Sequence, residues 1–250
     1  MATFANFSEI LPDPNNQIGQ AGQADSSVTT APGFSSVELA SIQPIATDVV
    51  NSGRSFSRAI LGHSWEVNIK YNPLTRTQFL PVYSFLIGRS GALNPFFVAL
   101  PQYLTSGNAT FTTAQQNVTS RSHANAVRIP AVSGGATMIN VSNAPADGST
   151  PAPGDIFRVV DTQNTLHTKL YMVTRVETSS TYNTSFTGSI THFRLHFTPR
   201  LSYAVTSGST GYLDFRSPLM RVAQSGETLS YSLGINNLYQ FNIKVKEVLP

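Results

Sequence analysis

Residues 63–89 read HSWEVNIKYNPLTRTQFLPVYSFLIGR, and this stretch decides the fold class. Trp65, Val67, Ile69 and Tyr71 alternate with Ser64, Glu66, Asn68 and Lys70. Successive side chains of a strand point to opposite faces of a sheet, so the alternation is that of a half-buried strand. Asn72-Pro73 stops it, because proline donates nothing to a ladder. Thr75 with Gln78 three residues on has the form of a capping box, and Thr77 is the alternative N-cap. Phe79, Val82, Tyr83 and Leu86 then recur at i, i+3, i+4 and i+7, which makes one helical face apolar. Pro81 fits a first turn best, so the expected helix covers about 77–88 and ends at Gly88 or Gly91. A lone helix after a strand must lay its apolar face on a sheet.

Working outward, strand signals dominate. NPFFVALPQY (94–103) returns as a strand between two prolines, and SSVELASI (35–42) and RSFSRAILG (54–62) precede the central segment. Further strands are expected near 126–129, 137–141, 155–160, 168–176, 191–198, 212–216, 228–235 and 240–248. SNAPADGSTPAPGD (142–155) is a Pro/Gly-rich loop feeding the strand that starts at Asp155. The predicted fold is mainly β, a β-sandwich or barrel with one α-helix (about 77–88) packed on the sheet. Two organisations compete. In one, residues 51–104 and 206–250 form a β-core with the helix and 105–205 form an inserted second β-barrel. In the other the chain is one continuous sandwich.

Residues 1–50 differ from the rest and read as an extended or flexible arm. Phe4, Phe7, Ile10 and Leu11 sit at helical spacing ahead of PDPNNQIGQAGQADSSVTTAPG, which offers little to bury. They are the candidate interaction residues, an apolar face that docks on a neighbouring subunit; the alternative is a frayed terminus.

Charged residues are only 12% of the 250, about half the usual share, and such a surface suits coverage by other protein. The net charge of +3 comes without a Lys/Arg run, which speaks against specific nucleic-acid binding. No apolar run approaches the ~20 residues that span a bilayer, no signal peptide is visible, and the absence of cysteine rules out disulfides and thiolate metal sites. His192 and His196, on a strand, would share a face about 13 Å apart, too far for one ion. The thirteen carboxylates form no metal-binding or acid–base spacing, and Asp155 reads as a turn former. Trp65, on the apolar face of its strand, reads as core. No catalytic, cofactor-binding or metal residue is proposed from the sequence, and the expectation is a protein that is not an enzyme.

The segment WEVNIKYNPLTRTQFLPVYSFLIGRSGALNPFFVALP resembles bacteriophage tail and baseplate structural proteins of the tail-hub or distal-tail type. GDIFRVVD, KLYMVTRV, LHFTPRLS and YQFNIKVKEV resemble later elements of that pattern in the same order. Asn72-Pro73 stands where those proteins carry a Tyr-Pro-like turn, and the N-terminal extension is longer than theirs. The resemblance implies a virion protein made in the bacterial host cytoplasm. It would assemble as a homo-oligomeric ring, hexamer or trimer, connecting the tail tube to the baseplate or hub with other tail proteins and without a cofactor. The rival expectations are a receptor- or carbohydrate-binding β-module of a virion, with Tyr103, Tyr182 or Tyr203 as exposed aromatics, and a head-decoration protein.

Overall fold

The computed structural model describes residues 9–15, 33–59, 62–178, 193–205, 211–216, 218–226 and 228–250. In chain order its elements are β1 (Phe34–Ile42), β2 (Ile45–Val49), β3 (Ser55–Ala59), β4 (Ser64–Tyr71), α1 (Arg76–Gly88), β5 (Phe96–Ala99), α2 (Ala109–Gln115), β6 (Val127–Arg128), β7 (Met138–Asn140), β8 (Ile156–Asp161), β9 (Leu170–Thr178), β10 (Phe193–Thr198), β11 (Gly211–Asp214), β12 (Leu219–Gln224), β13 (Tyr231–Leu233) and β14 (Tyr239–Glu247). The fold is mainly β, as expected, with two curled sheets and helices in a minor role.

The quoted stretch supplies β4, the second strand of the first sheet, which is ordered β1-β4-β14-β12-β5 with β13 also paired to β14. Trp65, Val67, Ile69 and Tyr71 are all buried, while Lys70 is exposed, so the alternation marks the two faces correctly. Helix α1 lays Phe79, Val82, Phe85 and Leu86 on that apolar face, where they join Phe96, Met220, Val222, Phe241, Ile243 and Val245 in one core. The helix starts one residue earlier than expected. Thr75 is its N-cap, and the Thr75 backbone N–H donates to Gln78 Oε1 at 3.1 Å. Pro81 therefore lies past the first turn, where it cannot donate to the Thr77 carbonyl. Burial of the apolar face offsets that lost bond.

The second sheet runs β6-β11-β8-β9-β10-β7 and encloses Phe111, Ile129, Phe157, Tyr171, Phe193, Leu195, Phe197 and Leu213. Its two ends are tied together. Arg128 N–H donates to the Asn143 carbonyl (3.1 Å) and Ser142 N–H to the Arg128 carbonyl (2.8 Å), while Val141 N–H reaches Phe193 on β10 (2.8 Å). The sheet thus curls back on itself and keeps its edges short. Asp155 shapes the entry to β8, as its position suggested. Its carboxylate accepts from the N–H groups of Gly107 and Ala152, both at 2.8 Å, and from the Ser106 hydroxyl.

Three elements were not expected. Helix α2 is short, and Asn108 caps it by accepting from Thr110 N–H (3.1 Å) and Phe111 N–H (3.4 Å). Strand β12 has Met220, Val222 and Ala223 buried, so it lacks the clean period of two. Strand β2 hides in IATDV, a segment with no buried residue.

The two sheets meet at a polar junction. Glu247, at the end of β14, accepts from Lys169 Nζ (2.7 Å), Leu170 N–H (3.2 Å) and Trp65 N–H (3.3 Å). Trp65 Nε1 donates to the Leu170 carbonyl (3.1 Å), and Lys169 Nζ also donates to the His63 carbonyl (2.8 Å). Side-chain exposure is 5% for Lys169 and 1% for Glu247, so this ion pair sits out of water.

Candidate interaction surface

Three surfaces stand out among the described residues: a protruding hairpin, an apolar patch at the far end of the first sheet, and an open groove of mixed polarity beside that patch. The hairpin is β2–β3. Strands β1 and β4 pair from Phe34 opposite Tyr71 to Ile42 opposite Ser64, and the chain then continues as a second ribbon, from Ile45 opposite Ala59 to Val49 opposite Ser55. Its tip turns through Val50–Arg54, with Val50 N–H on the Arg54 carbonyl (3.0 Å) and Gly53 N–H on the Val50 carbonyl (2.8 Å). Gly53 has φ 78°, a conformation that a side chain would strain. The paired part extends for about 17 Å at ~3.3 Å per residue.

Every side chain of β2 is exposed, and so are those of Ser55 to Arg58 on β3. Val49 is 63% and Phe56 59% exposed. A two-stranded hairpin alone in water is marginal at best, and no side chain from Ile45 to Arg58 packs into a core. Its faces differ. Ile45, Thr47, Val49, Ser55 and Ser57 share one face, small, partly apolar and uncharged, with Thr47 Oγ1 3.5 Å from Ser57 Oγ. Asp48, Phe56 and Arg58 lie on the other.

At the hairpin's root, His63 Nε2 is 2.9 Å from Ser41 Oγ, and the ring meets Trp65 edge-on with centroids 4.7 Å apart. Burial, and then the nearby Lys169 ammonium, lower the His63 pKa from the ordinary 6.5 to about 4. The unfolded chain therefore takes up this proton first on acidification. The stabilising contribution is complete above about pH 6.5, is lost as pH falls toward about 4, and changes no further below that. Thermal melts are expected to show a lower midpoint at about pH 5 than at about pH 7, with His63→Gln reducing that difference. Equal slopes for the two proteins would remove His63 from the account.

The apolar patch lies at β13. Tyr231, Leu233 and Ile235 are exposed, Leu233 at 53% and Ile235 at 103%. Beneath them Phe79 stacks on Tyr239 (4.5 Å between centroids) and Tyr83 (5.0 Å), with Tyr231 against both Phe79 (5.0 Å) and Tyr83 (5.2 Å). Charge is absent from residues 228–243. Beside the patch runs an open groove of about 540 Å³ lined by Lys70, Tyr71, Ser232, Gln240 and Asn242 among others. The Tyr71 hydroxyl is buried without a hydrogen-bond partner, and burial, with the Asp13 charge adding, holds its pKa well above the ordinary value.

The sequence-derived candidates fall elsewhere. Phe4 and Phe7 lie outside the described residues. Ile10 and Leu11 are buried and extended rather than helical. Ile10 bridges Phe97 in parallel, Leu11 N–H donates to the Phe97 carbonyl (2.8 Å), and Phe97 N–H donates to the Glu9 carbonyl (2.7 Å). They cover the β5 edge of their own sheet. Tyr103 is half-buried against the first core, Tyr203 rests edge-on against His167, and Tyr182 lies outside the described residues. His196 is held by Arg175 and Glu177, and His192 is outside the described residues. Glu66 pairs with Lys244 (2.9 Å) and Asp214 with Arg158 (3.0 Å), each partner on an adjoining strand. Among the described residues no three His, Asp or Glu side chains gather as a metal site, and no helix is long and apolar enough to cross a membrane. The IATDVVNSGRSF ribbon is the surface that sequence reasoning missed; the turn signal NSG between two short alternating runs is what could have found it. No family model matches this chain, and no curated protein matches it.

Proposed function

We propose that this chain is a structural component of a phage tail or baseplate, assembling as a ring that connects the tail tube to the baseplate or hub through protein–protein contacts and without catalysis. The hairpin β2–β3 carries the reading: an ordered ribbon exposed on both faces, with Ile45, Val49 and Phe56 in water, is a part made to be covered by protein. The low charge of the chain and the resemblance of residues 54–248 to tail proteins support it. A closed ring would also cover the outer edge of β1, which among the described residues pairs only with β4.

Two measurements test this. Electron microscopy of the purified protein is expected to show closed rings, and antibodies against it are expected to decorate the tail end of purified virions. A protein that stays monomeric in sedimentation at all workable concentrations, or a label confined to the head shell, would overturn the proposal.

A further inference from the structure

The geometry points to a head-to-tail contact in which the uncharged face of the β2–β3 hairpin of one copy docks on the β13 patch of the next copy. The inference rests on the ring reading and names the two surfaces that meet in it.

The two surfaces occupy opposite ends of the first sheet. The hairpin leaves at the Ile42–Ser64 end of β4. The patch sits at the Tyr71 end, where Tyr71 stacks on Phe241 (4.6 Å) and Phe241 stands opposite Tyr231. These ends are about 23 Å apart along β4 at ~3.3 Å per residue. Hairpin and patch are both exposed in the one chain, so neither covers the other there. A second copy brings them together, and because the two surfaces differ, the contact is heterologous and repeats until a ring closes.

The chemistry agrees. Ile45, Thr47, Val49, Ser55 and Ser57 present a partly apolar face without charge. The patch offers Tyr231, Leu233 and Ile235 over a packed aromatic stack, again without charge. Neither surface carries a charged side chain of its own, whereas the other hairpin face would bury Asp48 and Arg58. Strand β13 is short and, among the described residues, pairs with β14 alone, so an incoming strand has backbone groups to meet as well as side chains.

The chain has no cysteine, which makes the contact directly testable. Full-length V49C and L233C proteins, mixed and oxidised, are expected to form a disulfide-linked heterodimer, and the double variant a ladder of linked copies. Val49→Asp is expected to weaken self-association roughly tenfold or more, as for an interface anchor. Arg58→Gln, on the other face, is expected to change it by less than about twofold. Both positions are exposed, so circular dichroism should show an unchanged fold. Rings that assemble without V49C–L233C links, or that link only V49C to V49C, would overturn this contact and leave the ring reading standing. A monomer in sedimentation for the unsubstituted protein would overturn both.

Discussion

Replacing Glu247 with alanine is expected to cost about 3–5 kcal/mol of folding stability, a large part of the ~5–15 kcal/mol that a domain has in total. The substitution strands the Lys169 ammonium, 2.7 Å from the lost carboxylate, with only the His63 carbonyl to receive it. It also orphans the N–H groups of Trp65 and Leu170. Breaking one side of a buried pair costs far more than the pair contributes net, because a bare charge remains in low dielectric. The double variant K169M/E247L removes both charges and is expected to regain part of the loss. It cannot regain all of it, since each unpaired backbone N–H still costs about 1–3 kcal/mol. Urea titrations of the three proteins measure this. A single-variant loss below about 1 kcal/mol would mean that water reaches the site and that the junction is not dry.

Phe79→Ala is expected to cost a further large sum, about 3–5 kcal/mol, for a different reason. The ring is 1% exposed and touches Tyr83, Tyr231, Tyr239 and Phe241, with centroids between 4.5 and 5.7 Å. Its loss leaves a cavity between α1 and β14 and removes the floor under the β13 patch. Exposed Leu80, the next residue, serves as control: Leu80→Ala is expected within about 0.5 kcal/mol. Denaturant midpoints separate the two, and the near-ultraviolet dichroism of the tyrosines should fall for Phe79→Ala alone. Equal effects of the two substitutions would show that the aromatic stack does not hold the helix down.

These two sites differ in how visible they are in the sequence. Phe79 belongs to a helical stripe that the spacing of Val82, Tyr83 and Leu86 announces. Glu247 and Lys169 lie 78 residues apart, and nothing near either residue marks the pairing. Asp214 and Glu66 show the same thing. Their being on strands was legible, but their partners, Arg158 and Lys244, depend on which strands adjoin. The hairpin is a further case: RSFSRAILG was legible as a strand, but its lack of a core beneath it was not, since an alternating run looks alike whether its apolar face is buried or bare.

What the sequence determined by itself is the local part. Alternation from Trp65 to Tyr71, the Thr75–Gln78 cap, the stripe on α1 and the turn at Asp155 follow from backbone sterics and side-chain periodicity within a few residues. The tertiary structure alone decided the rest. It set strand order, the tying of the second sheet's ends, the burial of Ile10 and Leu11 on the β5 edge, the Lys169–Glu247 junction, and the separation of hairpin and patch to opposite ends of one sheet. Each of these joins groups far apart along the chain, and chain distance carries no information about which pairing buries the most apolar surface while leaving the fewest polar groups unpaired.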